Sequence, residues 1–263
     1  MQNLIDTLFL TYPYRLWLVF YPSSLFFIFE VFWPNEKQSI ISRVRAAYFW
    51  ATYLLITVFA LELLRNIWSS IGFKSLLSIN ASFISNIPIV GGVIAVILGM
   101  IIWEFFYYWF HRLQHKSKVL WRFHKVHHSL QEMNAWNSNH HFTEEIFRMF
   151  FIVIPMSFFS IDFGVGSMVM VFILSLQGQY QHSNTKLSLG FIRYLIPDNR
   201  FHRIHHSLEV IHLNKNFGAT TSIWDQVFGT AYFPIKKEWP AVGVFGTDEP
   251  NTLRGFLFMP FKK

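Results

Sequence analysis

The chain has 263 residues, 52% of them hydrophobic and 19% aromatic, and only 14% charged, against about 25% charged in soluble domains. The shortfall lies in long apolar runs, which excludes an ordinary soluble domain. The absence of cysteine excludes disulfides, thiolate-ligated haem, cysteine-bound iron–sulfur clusters and a cysteine nucleophile.

A net charge of +7 raises the question of nucleic acid. Lys and Arg are interspersed with Phe and Trp beside apolar runs, so an anionic membrane surface is the expected counterpart and no nucleic acid partner is expected. Met1 to Leu10 carries Asp6 and no basic residue, so it does not read as a cleaved signal.

A hydrocarbon core about 30 Å thick needs roughly 20 apolar residues in a helix. Three stretches meet that length: Leu16 to Trp33, Ala46 to Leu64 and Ile89 to Phe110. Two shorter runs follow, Met149 to Ile161 and Val165 to Leu176, separated by Asp162-Phe163-Gly164. They either cross with their flanks included or form a hairpin that dips into the bilayer. The organisation expected is 1–87 for N-terminal membrane spans, 88–230 for a histidine-bearing catalytic membrane domain and 231–263 for a C-terminal tail. Pro and Gly around Pro240 to Pro250 make that tail read as irregular, lying on the membrane surface.

Basic residues set the expected orientation. Arg112, Lys116, Lys118, Arg122 and Lys125 follow the third span, and Lys186, Arg193, Arg200 and Arg203 follow the hairpin. The link between the first two spans holds Lys37, Arg43 and Arg45. These regions should share the cytosolic side, with the polar stretch Ser78 to Ser82 opposite, the N-terminus outside and the C-terminus inside.

All twelve histidines fall between His111 and His212. His111 and His115 are an i, i+4 pair, and His124-Lys-Val-His127-His128 and His202-Arg-Ile-His205-His206 repeat one i, i+3, i+4 pattern. On a helix such offsets stack side chains on one face, within reach of a shared ion, and a neutral imidazole offers its lone pair to a borderline metal. The eight rings are the expected catalytic metal ligands. Eight nitrogens exceed what one ion uses, so two ions are the economical reading. Ile89 to Trp109 is 21 residues, about 30 Å at about 1.5 Å per residue, so His111 and His115 emerge where the third span leaves the bilayer. The regular spacing just past a span favours a fixed site over a membrane metal-binding or transport protein. No His-Glu-x-x-His motif of a zinc protease occurs, and Glu144 and Glu145 follow His140-His141-Phe142-Thr143 at another spacing.

These clusters resemble the fatty acid hydroxylase/sterol desaturase superfamily. The matching text runs from Glu104-Phe-Phe-Tyr-Tyr-Trp-Phe-His111-Arg-Leu-Gln-His115 through Leu120-Trp-Arg-Phe-His124-Lys-Val-His127-His128-Ser129 and Met133-Asn134-Ala135. It continues with His182-Ser-Asn, Phe201-His202-Arg-Ile-His205-His206-Ser207, Asn214-Lys-Asn-Phe-Gly218 and Ile223-Trp-Asp225-Gln-Val-Phe-Gly-Thr230. It covers about Gly92 to Thr230, and its ending looks most like the alkylglycerol monooxygenase, ornithine-lipid hydroxylase and bacterial sterol-desaturase-like branches.

The resemblance implies an all-α fold, a polytopic membrane helical bundle with a cytosolic histidine-rich di-metal cap, and O₂-dependent attack on a lipid C–H bond. Hydroxylation of a membrane lipid is the first expectation; sterol or lipid desaturation at the same centre is the second. Iron is assigned to both ions because zinc has no redox chemistry, although purified protein can carry zinc in the same ligands. The implied partners are a membrane lipid, O₂ and an external electron donor such as a ferredoxin, a reduced pterin or a haem protein. The implied location is a bacterial inner membrane or, in a eukaryote, the endoplasmic reticulum.

The resemblance adds His182 as a ninth ligand, since the superfamily has a histidine between its second and third boxes. It adds His141 as a tenth, close to the register of the superfamily's Arg-x-His-Pro. Here that text reads Asn139-His140-His141-Phe142-Thr143, without the proline, which weakens a sterol assignment. Glu104, seven residues before His111, is expected to accept a hydrogen bond from a ligand histidine's other nitrogen. Asp225 is expected either to orient a histidine or to hold a turn. His212 reads as a surface residue, and Glu30 and Glu62 as structural pairs.

Overall fold

The computed structural model describes residues 11–72, 75–80, 90–162, 166–235 and 237–262. Met1 to Leu10, Phe163-Gly164, and the part of the polar link from 81 to 89 lie outside the described residues. Among the described residues, three helices are long and apolar enough to cross a membrane: α1 (Tyr12–Phe32), α2 (Ile40–Ser70) and α3 (Val90–Lys116). The chain is an integral membrane protein, and its described residues are helical apart from one pair of four-residue strands.

Pro22 sits inside α1 and has no N–H for the carbonyl four residues back, Leu18. The Ser175 hydroxyl, from the helix packed alongside, donates to that carbonyl. A backbone group orphaned within a span thus finds its partner inside the bundle, as an apolar solvent requires. That neighbour is α7 (Gly166–His182), which meets α1 through Trp17 on Phe172 and Phe26 on Tyr180.

The hairpin expected after the third span rises as α5 (Thr143–Arg148), a π-helical turn at Met149–Val153 and α6 (Ile154–Ser157), and returns as α7. Between them β2 (Phe159–Asp162) pairs in parallel with β1 (Leu77–Asn80), the strand that follows α2, in register Leu77 to Phe159. The tip of the hairpin is therefore tied to the end of α2 away from the histidines.

The opposite end carries the cap. Ser117 alone separates α3 from α4 (Lys118–His128) and accepts from the Leu120 N–H at 3.4 Å, an N-cap that lets the chain turn at once. α4 then folds back beneath α3. α8 (Asn199–His205) is capped by Asp198, whose carboxylate accepts from Phe201 N at 3.0 Å and pairs with Arg193 at 2.8 Å. The link after α1 closes the cap from below, with Asn35 N donating to Asn184 O at 3.1 Å and Glu36 pairing with Arg203 at 3.0 Å. The three basic segments of the sequence thus share one end of the molecule.

The tail is more ordered than its Pro and Gly content suggested. α10 (Leu253–Phe258) follows α9 (Ile223–Val227) in the chain and buries Phe256 against Phe49 of α2, ring centroids 4.8 Å apart. The apolar spacing Leu253, Phe256, Leu257 supplies one helical face, which the composition alone concealed.

Candidate metal centre

Nine histidines converge in the cap as two adjacent sets. His111, His115, His124, His128 and His205 form one, and His127, His182, His202 and His206 the other; within each set one nitrogen from each ring lies within 4.8 Å of those of the others. Helical geometry explains the partition. At about 100° per residue, position i+4 lies about 40° to one side of i and position i+3 about 60° to the other. The box on α4 therefore gives His124 and His128 to the first set and His127 to the second. The box on α8 does the reverse: His202 and His206 go to the second set and His205 to the first. The sets meet where His128 stacks on His206, centroids 4.3 Å apart and 19° from parallel.

The hydrogen bonds of the outward-facing nitrogens decide what faces inward. His111 Nδ1 lies 2.7 Å from Phe217 O, His127 Nδ1 3.1 Å from Asn139 O, His182 Nδ1 2.8 Å from Gly178 O and His205 Nδ1 2.8 Å from Lys215 O. A carbonyl only accepts, so each Nδ1 carries the proton and each Nε2 presents a bare lone pair. Yet His127 Nε2 stands 3.3 Å from His182 Nε2, and His111 Nε2 3.0 Å from His124 Nε2. His115 Nε2 and His205 Nε2 are buried with no partner among the described residues.

Lone pairs held this close repel unless a cation sits between them. Protonation is a poor remedy: burial, then the neighbouring rings, holds His127, His128, His202 and His206 well below the usual imidazole range, and burial pushes His205 down to about 3. A metal is a good one. With bonds of about 2.1 Å, two nitrogens on one ion stand about 3.0 Å apart at a right angle and about 3.4 Å apart at the tetrahedral angle. The donor set therefore fits one borderline ion in each set.

Several expected residues lie elsewhere than foreseen. His141, expected as a tenth ligand, is in neither set: its Nδ1 is 2.8 Å from Thr143 Oγ1 and its Nε2 3.1 Å from Leu257 O, so both nitrogens are engaged by the tail and its own turn. Among the described residues, no histidine bonds to Glu104. It accepts from Ala219 N at 2.5 Å, Thr220 N at 2.9 Å and Thr220 Oγ1 at 2.6 Å. Asp225 accepts from Phe217 N at 2.9 Å, Gly218 N at 2.7 Å and Thr230 Oγ1 at 2.7 Å. Both carboxylates brace the loop whose Phe217 carbonyl receives His111: Glu104 acts one backbone link further out than expected, while Asp225 takes the second of its two expected roles, holding a turn.

That loop also explains the Asn-Phe-Gly text. A Cβ on Gly218 would lie 2.3 Å from the Thr221 carbonyl oxygen and 2.8 Å from Asp225 Oδ2, so a larger residue does not fit there without moving the backbone. His212 is buried rather than on the surface, with Nδ1 2.8 Å from Ser207 Oγ and Nε2 3.1 Å from Glu238 Oε1. Glu30, read as a structural pair, meets Arg43 at 3.0 Å; the Asn66 amide reaches Glu62 at 3.5 Å.

Sequence reasoning passed over Glu144. Its carboxylate lies 3.3 Å from His124 Nδ1 and 3.2 Å from His140 Nδ1. The signal was the i, i+4 spacing of His140 and Glu144, used only to set aside a zinc protease.

The first set opens on a cavity of about 310 Å³, with His115, His128 and His205 on its floor and Trp121, Leu213 and Phe245 on its walls. A second, more apolar cavity of about 410 Å³ lies between α3 and α7, lined by Ile97, Ile101, Ile173 and Thr220.

The family model described as fatty acid hydroxylase matches residues 96–230, just over half of the 263 residues. The chain is 32% identical to the ornithine lipid hydroxylase OlsE of Rhizobium tropici over 168 residues, 62% of this chain and 48% of that one. It is 28% identical to the alkylglycerol monooxygenase of Xenopus tropicalis over 160 residues, 58% of this chain and 33% of that one. The human alkylglycerol monooxygenase is 29% identical over 127 residues, 48% of this chain and 28% of that one. The chain thus spans less than half the length of these relatives. No solved structure matches it.

Proposed function

The chain belongs to the fatty acid hydroxylase family, and from that membership we propose that it oxidises a C–H bond of a membrane lipid with O₂. The observation that carries this reading is the pair of buried histidine sets with converging bare nitrogens, built at the end of apolar spans. His111, His115, His124, His128 and His205 would hold one ion, and His127, His182, His202 and His206 the other. Two redox-active ions, iron in this reading, supply O₂ activation when bound. The rest is the protein's work: backbone carbonyls fix the tautomers of His111, His127, His182 and His205, Glu104 and Asp225 hold the loop behind His111, and burial disfavours protonation of His127, His128, His202, His205 and His206.

Hydroxylation places one oxygen atom of O₂ in the substrate and reduces the other to water, consuming two electrons and two protons. An external electron-transfer protein or small reductant is the proposed source. The substrate is proposed to be a lipid because the matched relatives are named for lipids. The positive-inside rule supports a cytosolic histidine cap. We place catalysis in residues 88–230, with 1–87 supplying spans and 231–263 covering the cap.

Lipid mass spectrometry of cells with and without the gene, grown under heavy-isotope O₂, tests the reading. A lipid gaining one labelled oxygen atom is the expected result. Loss of two hydrogens without label indicates desaturation at the same centre, and an unchanged lipid profile contradicts lipid oxidation altogether.

The cavity over the first set is the proposed approach for the reacting carbon. Leu213 is 57% exposed, so Leu213→Trp should be tolerated while filling that space. Turnover of the lipid should fall by on the order of tenfold or more, the scale of a misfit group in an apolar pocket, with metal content unchanged. Full turnover in this variant would send the substrate by another route, the apolar cavity between α3 and α7 being the alternative.

A further inference from the structure

Glu144 is 1% exposed and stands beside both histidine sets. His124 Nδ1 lies 3.3 Å from each of its oxygens, His140 Nδ1 3.2 Å from Oε2, and Gln114 Nε2 donates to Oε2 at 2.9 Å. An ionised carboxylate only accepts hydrogen bonds, so each of these nitrogens is a donor. That fixes the Nδ1–H tautomer of His124 and leaves its Nε2 bare toward His111 and His128, 3.0 and 3.2 Å away.

His140 belongs to neither of the two large sets, yet it is not idle. Its ring lies flat on that of His127, with centroids 3.8 Å apart and planes 12° from parallel. His127 is a member of the second set, and its Nδ1 is fixed by the carbonyl of Asn139, the residue before His140. One carboxylate therefore reaches a histidine of each set: His124 directly, and His127 through the stacked ring of His140.

We propose that Glu144 is a positioning residue shared by both ion sites. This rests on the reading that the two sets hold two ions. Its effect is to fix ring orientation and tautomer and to strengthen His124 as a donor, as carboxylates behind metal-bound histidines do. An amide at this position has one acceptor oxygen and turns an NH₂ group toward donors already aimed at it. Glu144→Gln keeps the volume and removes the function.

The test uses the full-length chain purified in detergent and stripped of metal, titrated with zinc by calorimetry and with cobalt by its visible absorption. The wild-type protein should take up two ions. Glu144→Gln should weaken both binding steps by on the order of 10–100-fold and alter the cobalt spectrum, with Glu144→Asp recovering part of the affinity. His140→Phe keeps a flat ring on His127 but loses the link to the carboxylate, and should weaken one step only. If Glu144→Gln binds both ions as tightly as the wild type, or loses only one, the shared role is wrong while the two-ion reading stands. A third ion bound by the wild type and lost in Glu144→Gln would make His124, His140 and Glu144 a metal site in their own right and overturn the proposal. A wild-type chain that binds fewer than two ions overturns the reading beneath it. Should Glu144→Gln not purify in folded form, unchanged affinity of both steps in His140→Phe overturns the proposal by itself.

Discussion

Alanine at His127 or at His205 should abolish lipid oxidation while the chain still inserts into the membrane. His127 is one of four rings in the second set, and His205 packs within the first, its centroid 4.4 Å from His111 and 4.7 Å from both His115 and His128. Losing either removes a donor that no neighbouring ring replaces. The loss of activity should exceed about 100-fold, because even the outer partners of metal-bound histidines cost on the order of 10–100-fold. Metal analysis of the purified variants should show less bound metal. His212→Ala is the contrasting control, since that ring is engaged by Ser207 and Glu238 and lies in neither set. Near-normal activity in His127→Ala or His205→Ala would remove the basis for the two-site arrangement.

The second large effect should come from Glu30, far from the histidines in sequence and bonded to none of them. Its carboxylate accepts from Ala135 N and Asn184 N, each at 2.8 Å, and pairs with Arg43 at 3.0 Å. Ala135 lies in the loop that follows α4, and Asn184 comes two residues after His182, so Glu30 fastens the end of α1 to segments carrying both sets. Glu30→Ala leaves two buried N–H groups and an arginine without their acceptor, a change costing about 3–5 kcal/mol. Heat denaturation in detergent should begin on the order of 10 °C lower. Glu30→Gln, which retains one acceptor oxygen, should lose less. Equal thermal stability of Glu30→Ala and the wild type would show that these contacts do not hold the cap together.

What could be read from the sequence follows from the range over which each feature is encoded. The i, i+3, i+4 spacings are local, and helix geometry puts the rings of each box on one face; those eight histidines and His182, which the resemblance supplies, meet in space, and His141 does not. Their division into sets of five and four is not local. It depends on α4 and α8 meeting so that each box gives its i, i+4 pair to a different side. Glu104 and Asp225 stand out as carboxylates near the histidine boxes, but their partners are backbone N–H groups of residues 217–220 and the Thr220 and Thr230 hydroxyls, which no spacing reveals. His141 was placed by analogy of register, and its neighbour His140 is the one that reaches the site, because the turn into α5 directs His141 toward Thr143 and the tail. The strands at Leu77–Asn80 and Phe159–Asp162 are too short to show an alternating pattern. α10 was hidden by the Pro and Gly that precede it.

In this reading nine histidines hold two ions in separate sets. Anomalous diffraction at the iron edge, from crystals of protein expressed with ample iron, tests it most directly. Two peaks are expected, one within about 2.0–2.3 Å of ring nitrogens from His111, His115, His124, His128 and His205, and one at that distance from His127, His182, His202 and His206. A single peak, or a peak bound by His141 in place of His182, would contradict it.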